Sequence, residues 1–332
     1  MPSATSTFKG QVVLITGAAS GIGAATALEV LVQGGVPVLV DCDTEPLAAM
    51  AAHCGGDVLH LVADVTDLPA MEHVAAQTLA RHGRIDVVFA NAGVAAFGPL
   101  ALVDPQAWKR CVEVNVFGVF NSVRAALPAV MQARGYVLIN ASVSSFAHPP
   151  VMSAYAASKS AVEAMGNSWR IELASHGVDV GVVHAGWVST PLVTEGALHP
   201  GFVRLRATMP GPLNSETSPQ DADRAIVRGM QARKGRIWIP GWLRILYALR
   251  ALLHLPFAER ELRRAAPEIE AIISRAWKPK ARWLRRLGLG SGKGPWLEGG
   301  VFDLRAAYDP KRTDAALPWA AVMQRKRSSN AA

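Results

Sequence analysis

The sequence predicts an α/β protein, a doubly wound parallel sheet carrying a helical, basic C-terminal extension. Three observations predict it. Short β-branched runs alternate with amphipathic segments of helix length through residues 1–240, the pattern of successive β–α units. The first of these runs enters a glycine-rich turn and then a helix. Beyond residue 240 the strand-like runs stop and the chain turns to Leu, Trp and Arg. Residues 1–240 therefore read as a dinucleotide-binding catalytic domain, and residues 241–332 as an extension that lids the site, joins subunits or meets a membrane.

With 332 residues, half of them apolar, the chain is long enough for one large core plus an extension. Its net charge of +8 is unevenly spread. Residues 1–227 hold 12 basic and 18 acidic side chains, residues 228–332 hold 22 and 8. Cys42, Cys54 and Cys111 have neither CxxC spacing nor framing histidines, so they read as reduced thiols of a cytoplasmic protein, with no metal site. The polar start MPSATSTFKG lacks a basic leader and apolar run. No stretch reads as a membrane span; the nearest, residues 242–255, is interrupted by Arg244, Arg250 and His254.

Residues 11–16 form the first strand, buried by its β-branched composition. It runs into Gly17-Ala18-Ala19-Ser20-Gly21-Ile22-Gly23 and a helical run. The glycines allow a tight turn and close approach of the backbone to a pyrophosphate; the helix start offers free N–H groups and a partial positive charge. The spacing GxxxGxG departs from the GxGxxG fingerprint. Residues 36–40 are the second strand, ending at Asp41. An acid there accepts both adenosine ribose hydroxyls and repels a 2′-phosphate, and Ala18, Ala19, Ser20 and Cys42 supply no cation to receive one. NAD is favoured over NADP; the same Asp can also cap the following helix.

Residues 58–63 are the third strand, leaving through Asp64-Val65; 67–82 are helical; 85–90 are the fourth strand, followed by Asn91-Ala92-Gly93. That turn can pack against the adenine side of a nucleotide or simply reverse the chain. Residues 108–134 read as one long helix ended by Gly135. Asn115, among apolar neighbours, either bonds locally and bends the helix or orders a water near the site. Residues 136–140 are the fifth strand and deliver Ser142 at its C-terminal end, where ligands bind in open α/β sheets. Residues 178–184 are the sixth, 218–234 a helix capped by Ser218, and 236–240 a last strand.

Tyr155 and Lys159 are spaced i, i+4 in a run rich in helix formers, so both side chains share one face. A phenol of pKa about 10 is a poor base at neutral pH, and a nearby ammonium favours its phenolate. Lowering it by two or three units requires roughly 3–4 kcal/mol. Such a tyrosine can exchange a proton with an alcohol or ketone oxygen while hydride moves, and Ser142 can hold the same oxygen.

Together these residues make the chain resemble the short-chain dehydrogenase/reductase family over residues 9–240, a Rossmann-like fold. TGAASGIG is similar to the family's cofactor loop, Asp64-Val65 to its adenine contact, and Asn91-Ala92-Gly93 to its structural motif. Asn115, Ser142, Tyr155 and Lys159 match its catalytic tetrad in order and spacing. The resemblance implies Tyr155 as acid/base, Lys159 as holder of the nicotinamide ribose, Ser142 as polariser of the substrate oxygen and Asn115 as anchor of a water relay. It also implies cofactor contacts from Gly186, Val188 and Thr190, where the usual Pro-Gly is Ala185-Gly186. A homodimer or homotetramer is expected.

The stretches around the expected reacting carbon are apolar: Val94 to Phe97, 143–150, Trp187, Val188 and Leu192, without Arg or Lys. His148 in its Pro-rich loop reads as a surface group. Residues 191–218 read as a mobile lid. The expected substrate is a hydrophobic secondary alcohol or ketone of sterol, terpenoid or lipid type. The alternatives are a hydroxyacyl or ketoacyl thioester on an acidic carrier or coenzyme A, and a membrane-surface binding protein with a secondary dehydrogenase site. In the extension, Trp242, Leu243, Ile245, Leu246, Leu249, Leu252 and Leu253 make a broad apolar face, read chiefly as packing. Trp277, Trp283 and the basic residues of 275–290 suit peripheral contact with an anionic membrane. The tail from Gly288 reads as partly irregular. No nucleic-acid-binding motif accompanies the charge.

Overall fold

The computed structural model describes residues 8–209, 211–286 and 301–302, the side chains of 276–286 and 301–302 excepted. In chain order the elements of the first half are β1 Val12–Thr16, α1 Gly21–Val32, β2 Val36–Asp41, α2 Thr44–His53, β3 His60–Val62, α3 Leu68–His82, β4 Val87–Ala90, β5 Ala95–Ala96, α4 Pro105–Val112, α5 Gly118–Gln132 and β6 Tyr136–Asn140. They continue with α6 Ser153–Glu172, β7 Asp179–Ala185, β8 Trp187–Val188, α7 Pro191–Gly196, α8 Pro200–Ala207, β9 Glu216–Thr217, α9 Pro219–Gln231, β10 Arg236–Ile239, α10 Leu243–Ala248, α11 Pro256–Arg286 and β11 Val301–Phe302.

Seven strands form one parallel sheet in the order β10–β7–β6–β4–β1–β2–β3. All five residues of β1 are buried, as a central strand covered on both faces requires. Val13 and Ile15 point to one face, into a core shared with α1 and α9; Leu14 points to the other, into a core shared with α3, α5 and α6. The chain builds outward from β1 to β3, then returns to place β4 on the other side of β1. The crevice where the direction reverses, at the C-terminal strand ends, is where such sheets bind ligands.

The long helix expected over 108–134 is interrupted. Between α4 and α5 lies a π-helical turn, Glu113–Phe117, with Asn115 inside it. Its cause is lateral: the Asn115 amide bonds the backbone of Val94 on both sides, accepting from Val94 N at 2.8 Å and donating to Val94 O at 2.9 Å. The stretch Pro105–Gln132 is long and apolar enough to cross a membrane by length and composition, which corrects the choice of residues 242–255 as the nearest candidate. Just over half of its most apolar window, 56%, is buried inside the protein. At the end of α5 it is Arg134, not Gly135, that turns left-handed, at φ 46°. Gly135 is required for closeness instead, since a Cβ there would lie 2.1 Å from the Asp86 carbonyl oxygen.

Residues 191–218, expected as a lid, are built from α7, α8, a 3-10 turn at Gly211–Asn214 and β9, which pairs with β8. Helix α11 lies on α8: Ala265, Ile269 and Ile273 join Phe202, Leu205, Phe97 and Met152 in one apolar cluster. The approach is close, because a Cβ on Gly201 would sit 2.6 Å from Ile273 Cγ1. The apolar face of 241–255 packs only in part. Leu243 is buried, whereas Ile245, Leu249 and Leu252 stay 58%, 51% and 45% exposed at helical spacing. The side chains of Trp277 and Trp283, and the tail from Gly288 apart from the strand pairing of β11 with β5, lie outside the described residues.

Candidate active site

Most of the residues singled out in the sequence sit at strand ends, and all but two of the whole set line one cavity of about 370 Å³. Gly17 leaves β1, Asp41 ends β2, Asn91 leaves β4, Ser142 follows β6 and Gly186 follows β7. Ser20, Gly21, Ile22, Asp64, Val65, Ala92, Gly93, Val188 and Thr190 also line it, and Tyr155 and Lys159 enter from α6. Gly23 and Asn115 are outside the lining and act from behind it.

The glycine turn is built for closeness. A Cβ on Gly17 would meet Ala92 Cα at 2.8 Å, and one on Gly23 would meet the Gly17 carbonyl oxygen at 2.0 Å. Gly21 takes φ +54° beside Thr190. Ser20 begins α1 without a side-chain cap, and the first turn of the helix carries no acid, so its N–H groups and positive end face the cavity uncompensated. Asp41 holds this turn from the β2 end: its carboxylate accepts from Ala19 N at 3.0 Å and Asp43 N at 3.3 Å. It does not cap α2, whose N-cap is Asp43. After β3, Asp64 accepts from Thr66 and, at 2.7 Å, from Arg110 Nη2. Burial alone would raise its carboxyl; the hydrogen bonds from Thr66 and Arg110 outweigh that and hold it below the usual range.

A ladder of amide bonds ties the strand ends together. Asn91 Nδ2 donates to the carbonyls of Thr16 (3.0 Å) and Gly17 (3.2 Å), and its Oδ1 accepts from Asn140 Nδ2 at 2.9 Å. Lys159 Nζ donates to Asn140 O at 2.6 Å. Ser142 Oγ accepts from Ser144 N at 3.1 Å and donates to Ala185 O at 3.3 Å. Asn115, fully buried, donates to Ser158 Oγ at 2.9 Å in addition to its Val94 bonds. These bonds are not the local ones that one reading of the sequence allowed: they reach Val94 and Ser158, 21 and 43 positions away.

Burial governs the charges. Desolvation pushes the Tyr155 phenol up to about 12 despite the opposing Ser142 hydroxyl, with Cys111 adding to the rise. Desolvation likewise lowers Lys159 to about 8. Its ammonium stands 5.6 Å from the Tyr155 ring centroid. In the protein alone Tyr155 is thus a proton donor; the depressed phenol expected from the Tyr-Lys spacing is opposed by burial.

The far wall is apolar. Trp187 meets Phe202 edge-on at 5.4 Å, and Phe202 meets Phe97 at 5.7 Å. Met152, Leu192, Val193 and Gly196 continue the lining, whereas Ala96, His148, Pro149 and Pro150 are not part of it; His148 is exposed. Sequence reasoning missed Met152, Val193, Gly196 and Phe202, along with Arg110, Asn140 and Ser158. Phe202 reaches the cavity because α8 is held beneath α11, a contact that no local pattern in 191–218 announces.

A parallel α/β sheet with a glycine turn after β1 and a half-buried Tyr155 beside the buried Lys159 and Ser142 is the arrangement of a hydride-transferring oxidoreductase. The short chain dehydrogenase family matches residues 11–200, and this chain belongs to it. Its members are NAD(P)-dependent and act on CH–OH and keto groups. A 3-oxoacyl-[acyl-carrier-protein] reductase of Thermotoga maritima is 34% identical over 56% of this chain and 78% of its own length. An 11-beta-hydroxysteroid dehydrogenase A of Sesamum indicum is 31% identical over 72% of this chain and 70% of its own. The crystal structure of a 3-ketoacyl-(acyl-carrier-protein) reductase from Brucella melitensis complexed with NADH superposes at TM-score 0.63 and 27% identity, over 70% of this chain and 96% of that one.

Gly23→Ala tests the turn. Its methyl would have to displace the Gly17 carbonyl, so NADH affinity measured by fluorescence should fall at least about tenfold while the far-UV circular dichroism is kept. Unchanged affinity would contradict the close packing.

Proposed function

We propose that this chain is an NAD-dependent dehydrogenase or reductase of hydrophobic secondary alcohols and ketones, with Tyr155 as acid/base. The observation that carries the substrate class is the lining of the cavity. Phe97, Met152, Trp187, Leu192, Val193 and Phe202 face it, and among the described residues its only cations are Lys159 and Arg110, the latter bonded to Asp64. A carboxylate or phosphate inside that wall would lack a partner, whereas a sterol-like or terpenoid ring would bury apolar surface.

The residues present fit NAD. Gly17 and Gly21 leave room where a side chain would clash or strain, the open start of α1 suits a pyrophosphate, and Asp41, beside Asp43 and Cys42, disfavours a 2′-phosphate. The structural relative bound to NADH supports the same choice. When bound, the cofactor supplies the hydride acceptor or donor. Ser142 orients the substrate oxygen, Tyr155 gives or takes its proton, and Lys159, fixed on the Asn140 carbonyl, places positive charge beside the phenol. Asn115 acts through Val94 and Ser158 by shaping the wall.

The thioester reading rests on the two acyl-carrier-protein reductases among the relatives. One assay separates the readings: NAD⁺ reduction with sterols, terpenols and 3-hydroxyacyl thioesters, with Tyr155→Phe alongside. Bulky apolar alcohols should be turned over, and the variant should lose about a thousandfold or more in kcat. Turnover of thioesters alone would overturn the substrate class. Because Tyr155 lies well above neutrality, its base form increases as pH rises. Alcohol oxidation should therefore accelerate from pH 6 to about 8, above which Lys159 loses its charge, and ketone reduction, which uses the acid form, should stay nearly flat over that range; the reverse would contradict the assignment.

Peripheral contact with an anionic membrane belongs to the same reading. The exposed stripe of Ile245, Leu249 and Leu252 runs beside Arg244 and Arg250, neither of which is paired with a carboxylate among the described residues. Vesicles containing anionic phospholipid should sediment the protein and fail to sediment Leu249→Glu. Equal behaviour of the two proteins would sink this part.

A further inference from the structure

Tyr155, Lys159 and Glu163 stand at i, i+4 and i+8 on α6, one stripe of one helix face. The first two meet the cavity. The third turns behind it, is nearly buried, and has both oxygens engaged by residues distant in sequence. Its Oε2 accepts from Ser145 Oγ at 2.5 Å, and its Oε1 accepts from the hydroxyl of Tyr247, in α10, at 2.7 Å.

Ser145 belongs to the turn that presents Ser142. Its N–H donates to Ser142 O at 3.0 Å, and its carbonyl accepts from Ser160 Oγ at 2.9 Å. His184 on β7 lies 3.3 Å from Ser145 Oγ through Nδ1. Since Ser145 gives its proton to Glu163, Nδ1–H of His184 is the donor in that contact, which sets the tautomer. Trp238 stacks on His184 at 4.4 Å. Tyr247 is itself held on several sides. Phe146 meets its ring edge-on at 5.2 Å, and Arg250 covers the ring at 4.3 Å.

This is not a second nucleophilic site. Ser145 donates to the acid rather than to the histidine, Glu163 lies 3.9 Å from His184, and Ser145 is absent from the cavity lining. What the network does is fasten the Ser142 turn to α6 and to the C-terminal extension at once. Burying this carboxylate costs solvation that apolar packing would not, and its two hydrogen bonds offset that cost only in this geometry.

We propose that Glu163 and Tyr247 are positioning residues, through which the C-terminal extension fixes the turn that aims Ser142 at the substrate oxygen. The proposal rests on the reading of Ser142 as the group that orients that oxygen. The extension then contributes to the chemical step, in addition to backing the substrate wall through α11.

The test is a double-mutant cycle on the full chain. Tyr247→Phe removes one hydroxyl and keeps the ring against Phe146 and Arg250. It should lower kcat about tenfold with NADH affinity and KM little changed, because a shifted turn weakens an interaction made at the reacting oxygen. In a Ser142→Ala background the same change should have no further effect on kcat. Additive losses, or a loss confined to melting temperature, would overturn the proposal. Ser142→Ala with unchanged kcat would instead overturn the underlying reading of Ser142. Should Tyr247→Phe not fold, Glu163→Gln takes its place in the cycle with the same expected outcomes.

Discussion

One run of hydrogen bonds sets the geometry on which the rest depends. It starts at the buried Lys159 ammonium, passes to the Asn140 carbonyl, from the Asn140 amide to Asn91, and from Asn91 to the carbonyls of Thr16 and Gly17. Four elements, α6, β6, β4 and β1, are thereby locked at their site-facing ends. The phosphate turn and the Tyr155 helix cannot shift independently, because side-chain amides of two neighbouring strands join them. Lys159 is buried and the two asparagines are partly so, and leaving a buried group unpaired costs roughly 1–3 kcal/mol.

The chemistry follows from what that locking does to solvent. Lys159 is 3% exposed, and burial lowers its ammonium toward the working pH while raising the Tyr155 phenol. A buried cation close to an acid of high pKa is poised to stabilise the phenolate once a proton leaves. The apolar wall of Phe97, Trp187 and Phe202 sharpens this by excluding water from the same space. Helix α11 supports that wall and α10 supports the Ser142 turn, so the extension is continuous with the site on two sides.

How much of this was legible in the sequence depended on range. The glycine turn, the Asp41 strand end and the Tyr155–Lys159 spacing are local patterns, and each stands where its pattern put it. Asn115 was visible as an oddity in an apolar helix, yet the π-helical turn came from bonds to Val94, 21 positions earlier. Glu163 continued the i+4 stripe in plain sight, but its partner Tyr247 lies 84 positions away. Phe202 carried no signal at all, since its place is fixed by packing against α11. The apolar face of 241–255 was read chiefly as packing; periodicity shows that a face exists and not what covers it, and Leu249 is 51% exposed.

The central claim is that the protein holds Lys159 as a desolvated ammonium on the Asn140 carbonyl, beside Tyr155. The most direct measurement is an NMR titration of isotopically labelled lysine side chains, with Lys159 assigned by its Lys159→Met variant. A midpoint near pH 8, well below that of the other lysines, is the result this account predicts. A midpoint at or above the ordinary lysine value of about 10.4 would contradict the desolvation of Lys159 on which this account rests.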